Sequence, residues 1–157
     1  MCRTLKFSSS AYNISEFSQQ KFKHGCVITK NSKIITYGIN QGLRTKINNK
    51  IRTCIHAEID AAHKLIKMLK KKHGNNYSRQ LKKYTIWVVR SPNYEHKDIE
   101  FVESKPCYYC TKDLIEMGFE KVAYSNSNNE IVHEKLKNLE NDNFHKSELQ
   151  KKIEKYF

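Results

Sequence analysis

Apolar residues return along this chain in two rhythms. Over residues 57–72, Ile59, Ala62, Leu65, Ile66 and Leu69 recur at helical spacing, while Lys64, Lys67, Lys70 and Lys71 fall outside that face. This is the pattern of a helix with one buried side, and Gly74-Asn75-Asn76 ends it. Elsewhere the apolar runs are short and β-branched. "GCVITKNSKIITYGIN" holds an apolar run over 25–29, a turn at Lys30-Asn31-Ser32-Lys33 and a second run over 34–39, which reads as a β-hairpin. "YTIWVVR", residues 84–90, is almost continuously apolar, as a strand covered on both sides requires. A second helix is predicted over 106–118, opened by Pro106, whose missing N–H suits a first turn, and closed by Gly118. "KVAY" and "IVHEKL" follow as strands, and the short "SNSNNE" between them implies antiparallel pairing. Residues 9–23 are predicted as an N-terminal helical segment. Ser147 with Gln150 forms a capping box for a C-terminal helix carrying Leu149, Ile153 and Phe157. "QGLRTKINNKIRT" reads as a polar, basic loop, and 91–105 as a long charged connection. Strands alternating with helices define an α/β class: a single mixed β-sheet of about five strands flanked by helices, the last two strands antiparallel.

Length and composition narrow this picture. A chain of 157 residues is long enough for one core. One domain over 1–157 is expected, with 1–23 and 140–157 as helical appendages. The start lacks the 7–15-residue apolar stretch of a secretory signal, and nothing approaches the ~20 apolar residues of a membrane span. The five cysteines are odd in number and two form Cys-x-x-Cys. Without an export signal, that pattern favours metal or redox chemistry over a disulfide framework, so a cytoplasmic location and no membrane partner are expected. The formal charge is +13, from 29 Lys+Arg against 16 Asp+Glu. Such a surface attracts phosphates, although the chain's richness in Lys, Asn and Ile offers a purely compositional reading.

The polar residues that break the apolar pattern carry the chemistry. Glu58 falls within the arc of Ile59, Leu65, Ile66 and Leu69, where a carboxylate is costly unless paired or near a metal. Acids are also favoured in a first helical turn, so Glu58 alone decides little, and His56 alone decides no more. On the second helix Cys107, Cys110, Leu114 and Met117 share one face, which aims two sulfurs inward one turn apart. At a helix N-terminus thiols ionise readily and bind zinc. Two thiolates and one imidazole make three ligands and leave a tetrahedral metal one open position, the arrangement of a catalytic site. A carboxylate nearby then serves the water that fills it.

The pair His56-x-Glu58 and Pro106-Cys107-x-x-Cys110 resembles the zinc-dependent cytidine/deoxycytidylate deaminase superfamily. "GIN" before the loop, "HAEIDA" and "GFEKVAYS" add to the likeness, which runs from about residue 25 to 136. The resemblance implies one Zn2+ per chain held by His56, Cys107 and Cys110, with Glu58 as proton shuttle. It implies substrate contacts from Asn40 and the Ala57 backbone. It implies hydrolytic loss of ammonia from C4 of a cytosine, in cytidine, deoxycytidine or their monophosphates, or from C6 of an adenine. "ESKPC" lacks the Glu-Pro-Cys form of adenosine-type tRNA deaminases, which leans toward cytosine. A homo-oligomer is implied as well.

Three other readings compete. Cys54 would close a four-ligand structural zinc module with His56, Cys107 and Cys110. The basic charge, with Lys70-Lys71-Lys72, Lys82-Lys83 and Trp87, leaves RNA or single-stranded DNA as an alternative partner; the expectation for Trp87 is core. A relative that keeps zinc without catalysis is the third. Asn93, Tyr94, His96 and Lys97 in the charged connection are candidate grips for a base or phosphate, or simply solvated.

Overall fold

The elements of the chain, in a computed structural model that describes residues 2–42, 45–52, 54–92 and 101–141, run in this order. They are α1 (Arg3–Ser15), β1 (His24–Lys30), β2 (Lys33–Ile39), β3 (Thr45–Ile47), β4 (Lys50–Arg52), α2 (Ala57–His73), a 3-10 turn (Gly74–Tyr77), α3 (Ser78–Leu81), β5 (Thr85–Arg90), α4 (Tyr108–Met117), β6 (Lys121–Ser125), β7 (Ile131–Lys135) and α5 (Leu136–Asn141). Five strands form one mixed sheet in the order β2-β1-β5-β6-β7, with β3 and β4 as a separate pair. β5 and β6 are parallel, and every other pairing, β6 with β7 included, is antiparallel. The expected α/β class is the one observed.

The alternation of side chains along each strand builds two cores. Cys26 and Ile28 of β1 and Ile86 and Val88 of β5 point into the larger one, with Ile59, Ala62, Leu65 and Leu69 of α2 and Leu114 and Met117 of α4. Val27, Trp87, Val89 and Ala123 point the other way, onto Phe7 and Ala11 of α1. Trp87 is core as expected, its Nε1 donating to Thr29 Oγ1 at 2.9 Å. Of the predicted α2 face only Ile66 is half-buried, and Ala61 joins it.

Two glycines let helices lie directly on strands. A Cβ at Gly25 would collide with the Ala11 carbonyl of α1. One at Gly38 would collide with the Ala57 carbonyl and come within 2.5 Å of the Ala61 N. The second contact brings the first turn of α2 against the end of β2. Thr36 Oγ1 donates to the Ala61 carbonyl at 3.1 Å, and Asp60 Oδ2 accepts the Ile39 N–H at 3.1 Å.

Four expectations are corrected. α1 spans Arg3–Ser15, not 9–23. It stops because Ser18 turns away to bond Asn40, donating to its Oδ1 at 2.7 Å, and the chain must then cross to β1. The stretch read as a basic loop contains the β3–β4 hairpin. Its turn, Asn48-Asn49, has φ of 46° and 65°, the left-handed pair that a two-residue hairpin turn requires and asparagine tolerates. Pro106 lies outside α4, just before the N-cap Cys107. Leu136, read as strand, begins α5. The C-terminal capping box at Ser147 and Gln150 lies outside the described residues.

Candidate metal centre

Both halves of the sequence motif stand at helix N-termini. His56 is the N-cap of α2 but makes no side-chain cap bond, because its ring is turned to the thiols. Its Nδ1 lies 3.2 Å from Cys110 Sγ and 3.6 Å from Cys107 Sγ. Cys107 is the N-cap of α4, and its sulfur accepts the Cys110 N–H at 3.4 Å. The chain reaches Cys107 through Ser104, whose hydroxyl donates to the Val88 carbonyl at 2.8 Å and accepts the Ser125 N–H at 2.9 Å. That anchor ties the approach to β5 and β6.

Donor atoms of His56, Cys107 and Cys110 all lie within 4.8 Å of one another, the single such group among the described residues. A tetrahedral zinc with bonds of about 2.3 Å to sulfur and 2.0 Å to nitrogen spaces those atoms by about 3.5 Å. The two sulfur–nitrogen distances match that spacing, so the donor set fits the metal. Cys54 is hydrogen-bonded to His56 but is not in that group.

The donors hold protons that a bound metal would displace. Cys110 donates to Cys107, which holds the Cys107 thiol well below the usual cysteine range, with His56 adding to the effect; the shared proton stays on Cys110, pushed well up by the sulfur next to it and by burial. Burial alone would lower His56, but hydrogen bonds to Cys107 and Cys54 outweigh it and the imidazole pKa is well raised. Two buried thiols and a half-buried imidazole thus meet at two helix N-termini.

Glu58 is 3 % exposed. Burial pushes its carboxyl above the ordinary range, His56 opposes this, and Cys110 is hydrogen-bonded to it. The inward carboxylate therefore lies in contact with the donor group. Ala57 is fully buried, its carbonyl packed at Gly38. Asn40 lies at the end of β2, and its carboxamide is heavily used. Oδ1 accepts from the His24 N–H at 2.9 Å and from the Ser18 hydroxyl, and Nδ2 donates to the Phe22 carbonyl at 2.6 Å. One Nδ2 hydrogen is left over. Asn93, Tyr94, His96 and Lys97 lie outside the described residues.

Sequence reasoning missed the far wall. A cavity of about 20 Å³, enough for a water molecule, separates the donors from the β3–β4 hairpin and is lined by Ile47, Arg52, Cys54 and Asp113 among others. Arg52 of β4 pairs with Asp113 of α4 through contacts of 3.2 and 3.3 Å, and its guanidinium lies 4.8 Å from the Tyr109 ring centroid. Asn48 Nδ2 donates to the Asp113 carbonyl at 3.2 Å, holding the hairpin to α4. The signal was available: Asp113 is three residues past Cys110, an acid on an otherwise inward face, like Glu58.

A three-layer sheet with a His/Cys/Cys donor group and an inward glutamate is the architecture of a zinc-binding deaminase fold. The family model for the cytidine and deoxycytidylate deaminase zinc-binding region matches residues 2–126, and the chain belongs to that family. Its cofactor is one zinc ion per chain. Among solved structures, it is similar to the dCMP deaminase of cyanophage S-TIM5 in apo form, with 22% identity over 81% of this chain and 86% of that one and a TM-score of 0.50. The same enzyme in complex with dCMP and dUMP matches at 21% identity over 81% and 85%, with a TM-score of 0.50. The cytidine deaminase of Burkholderia pseudomallei matches at 18% identity over 86% and 94%, with a TM-score of 0.55. These likenesses show the fold. No curated protein sequence matches the chain. No helix among the described residues is long and apolar enough to cross a membrane.

Proposed function

We propose that this chain is a hydrolytic deaminase that converts the cytosine base of cytidine, deoxycytidine or their monophosphates to uracil with release of ammonia. The observation that carries the reading is the buried Glu58 carboxylate in contact with the donor group. His56, Cys107 and Cys110 would hold zinc, which when bound supplies Lewis-acid activation of a water molecule. Glu58 would take a proton from the attacking water and deliver it to the ring nitrogen beside C4, then take the second proton from the hydroxyl added at C4 and pass it to the amine, which leaves as ammonia while the C4 carbonyl forms. Asn40 offers its remaining Nδ2 hydrogen to the base or sugar. The Ala57 backbone would line the pocket beside the base. The dCMP and dUMP complex of the cyanophage enzyme supports a pyrimidine nucleotide or nucleoside as the substrate class.

The test is ammonia release from free cytidine, deoxycytidine and their monophosphates, beside metal analysis. Wild-type protein is expected to carry one zinc and release ammonia. Glu58→Gln is expected to keep the zinc and lose roughly 100- to 10,000-fold in turnover. Undiminished turnover in that variant would remove Glu58 from its role. A zinc-loaded protein inert toward all four compounds, yet active on a cytosine-bearing oligonucleotide, would move the reading to nucleic-acid editing.

A further inference from the structure

The metal donors occupy one end of the sheet, and the opposite end is a row of cations. Lys30 closes β1 and Lys33 opens β2, and the two are register partners. Thr85 opens β5 opposite Thr29, and Lys82-Lys83 lie exposed just before it. Thr85 is in turn the partner of Lys121, which opens β6, and Lys121 is the partner of Lys135, which closes β7. Every strand of the main sheet thus starts or stops here at a lysine, or two residues after one. With strands about 4.8 Å apart, the row runs about 19 Å from β2 to β7. Helix α2 adds to it. Gly38 lies against Ala57, and Thr36 bonds the Ala61 carbonyl, so α2 runs antiparallel to β2. The helix leaves the donors and ends on the side of Lys33, at the exposed Lys70-Lys71-Lys72.

The described residues leave this charge unanswered. Their ion pairs are Lys50 with Glu116, Arg52 with Asp113 and Lys64 with Asp60, and none involves the row. Glu120 and Glu134, next in sequence to Lys121 and Lys135, pair with neither among those residues. Exposed Asn31 and Ser32 at the turn between β1 and β2, and Asn75 and Asn76 after α2, add amides and a hydroxyl. Such groups accompany lysine where proteins meet phosphate and sugar. The exposed aromatic rings among the described residues, Phe17, Phe22 and Tyr37, lie off the row. A single-stranded site would stack bases on such rings, and a membrane face would insert them. A face of amines, amides and hydroxyl suits the regular phosphates of a duplex.

We propose that this row docks the chain on the phosphate backbone of a nucleic-acid duplex, which serves as an anchor and not as a substrate. Gly38 lies against Ala57, the neighbour of His56, and Lys33 is five residues back along β2, so about 17 Å separates the row from the donor end. A deaminase acts on a base brought into its pocket, and a duplex lying on the row is held at the other end of the sheet. Docking is therefore independent of the chemistry at the donors, and it stands whether or not the deaminase reading does.

The test uses the zinc-loaded full chain and a short, fluorescently labelled DNA duplex of arbitrary sequence, followed by anisotropy over a salt series. Wild type is expected to bind with a micromolar Kd, and log K is expected to fall with log salt by about 0.9 for each phosphate contacted. Lys83→Gln with Lys121→Gln is expected to weaken binding roughly 10-fold and to make that slope shallower by about 2. Lys21 and Lys46 are exposed away from the row, so Lys21→Gln with Lys46→Gln removes the same charge elsewhere. That control is expected to stay within about threefold of wild type with its slope unchanged. All variants should keep their zinc. Equal losses in the two pairs would make the attraction a property of net charge and overturn the row. So would displacement of the duplex by deoxycytidine monophosphate, which would put the nucleic acid at the donors. Tighter binding of a single strand, or of vesicles containing phosphatidylserine, than of the duplex would overturn it too. If no substrate releases ammonia while duplex binding and its dependence on Lys83 and Lys121 hold, the deaminase reading falls and the anchor stands.

Discussion

Arg52 and Arg90 are the same cation in two different bargains. Both lie on the metal side of the sheet, and both rest on an aromatic ring, Tyr109 at 4.8 Å and Phe22 at 4.4 Å. Arg52 meets a carboxylate through one nitrogen, Nη2, which lies 3.3 and 3.2 Å from the two Asp113 oxygens, with side chains 10% and 2% exposed. Arg90 meets none among the described residues. Burial pushes the Asp113 carboxyl up and Arg52 opposes that shift, so the pair is bought against desolvation and serves to hold the β3–β4 hairpin to α4 beside the donors. Where a buried charge is answered within the chain it is architecture.

The sharpest way to break this contrast is to unpair Arg52. Asp113→Ala leaves a buried guanidinium uncompensated and should lower the unfolding free energy in urea by about 3–5 kcal/mol; a loss below about 1 kcal/mol would show that the pair holds nothing. Next comes His24, between Asn40 and Arg90. Burial holds its pKa down at about 4 against an ordinary 6.5, with His56 adding to the effect. The neutral ring is favoured by the fold, so its contribution is complete above pH 6.5 and drains as pH falls toward 4. Between pH 7 and pH 5 wild type should lose about 2 kcal/mol more than His24→Gln, measured as the difference in urea midpoints; equal losses would place that ring in water. A smaller effect is expected when both members of the pair are replaced. Arg52→Met with Asp113→Leu should fall within about 1 kcal/mol of wild type, because a buried pair and an apolar pair of similar volume are close in energy. The smallest change belongs to Arg90→Gln, which should cost no more than about 0.5–1 kcal/mol, since the ring contact with Phe22 is lost but no ion pair is. A large destabilisation there would make Arg90 a second Arg52.

Much of the molecule is readable from its residues. The hairpin of β1 and β2, the amphipathic α2 and the buried β5 are written in local apolar spacing, and each formed within a residue or two of its expected bounds. The donor trio was readable because cysteines one turn apart, a histidine beside an inward acid, and a proline before the first cysteine each have narrow uses. The β3–β4 hairpin escaped because its strands are three residues long and mostly polar, although Asn48-Asn49 was a fair turn signal. Asn40 was read as a substrate contact or an ordinary turn asparagine, and three of its hydrogen-bonding positions tie together Ser18, Phe22 and His24.

What the sequence determined by itself is therefore whatever depends on neighbours a few residues apart: helix faces, strand runs, the thiol pair at an N-terminus and the acid set inward. Tertiary structure alone decided which charges are answered. Arg52 finds Asp113 sixty-one residues away, while Arg90, equally basic in the sequence, ends beside Phe22 with no acid in reach among the described residues. The reason is physical. Coulomb and desolvation energies depend on distance and burial in space, and the sheet order β2-β1-β5-β6-β7 sets those distances only once the chain has folded.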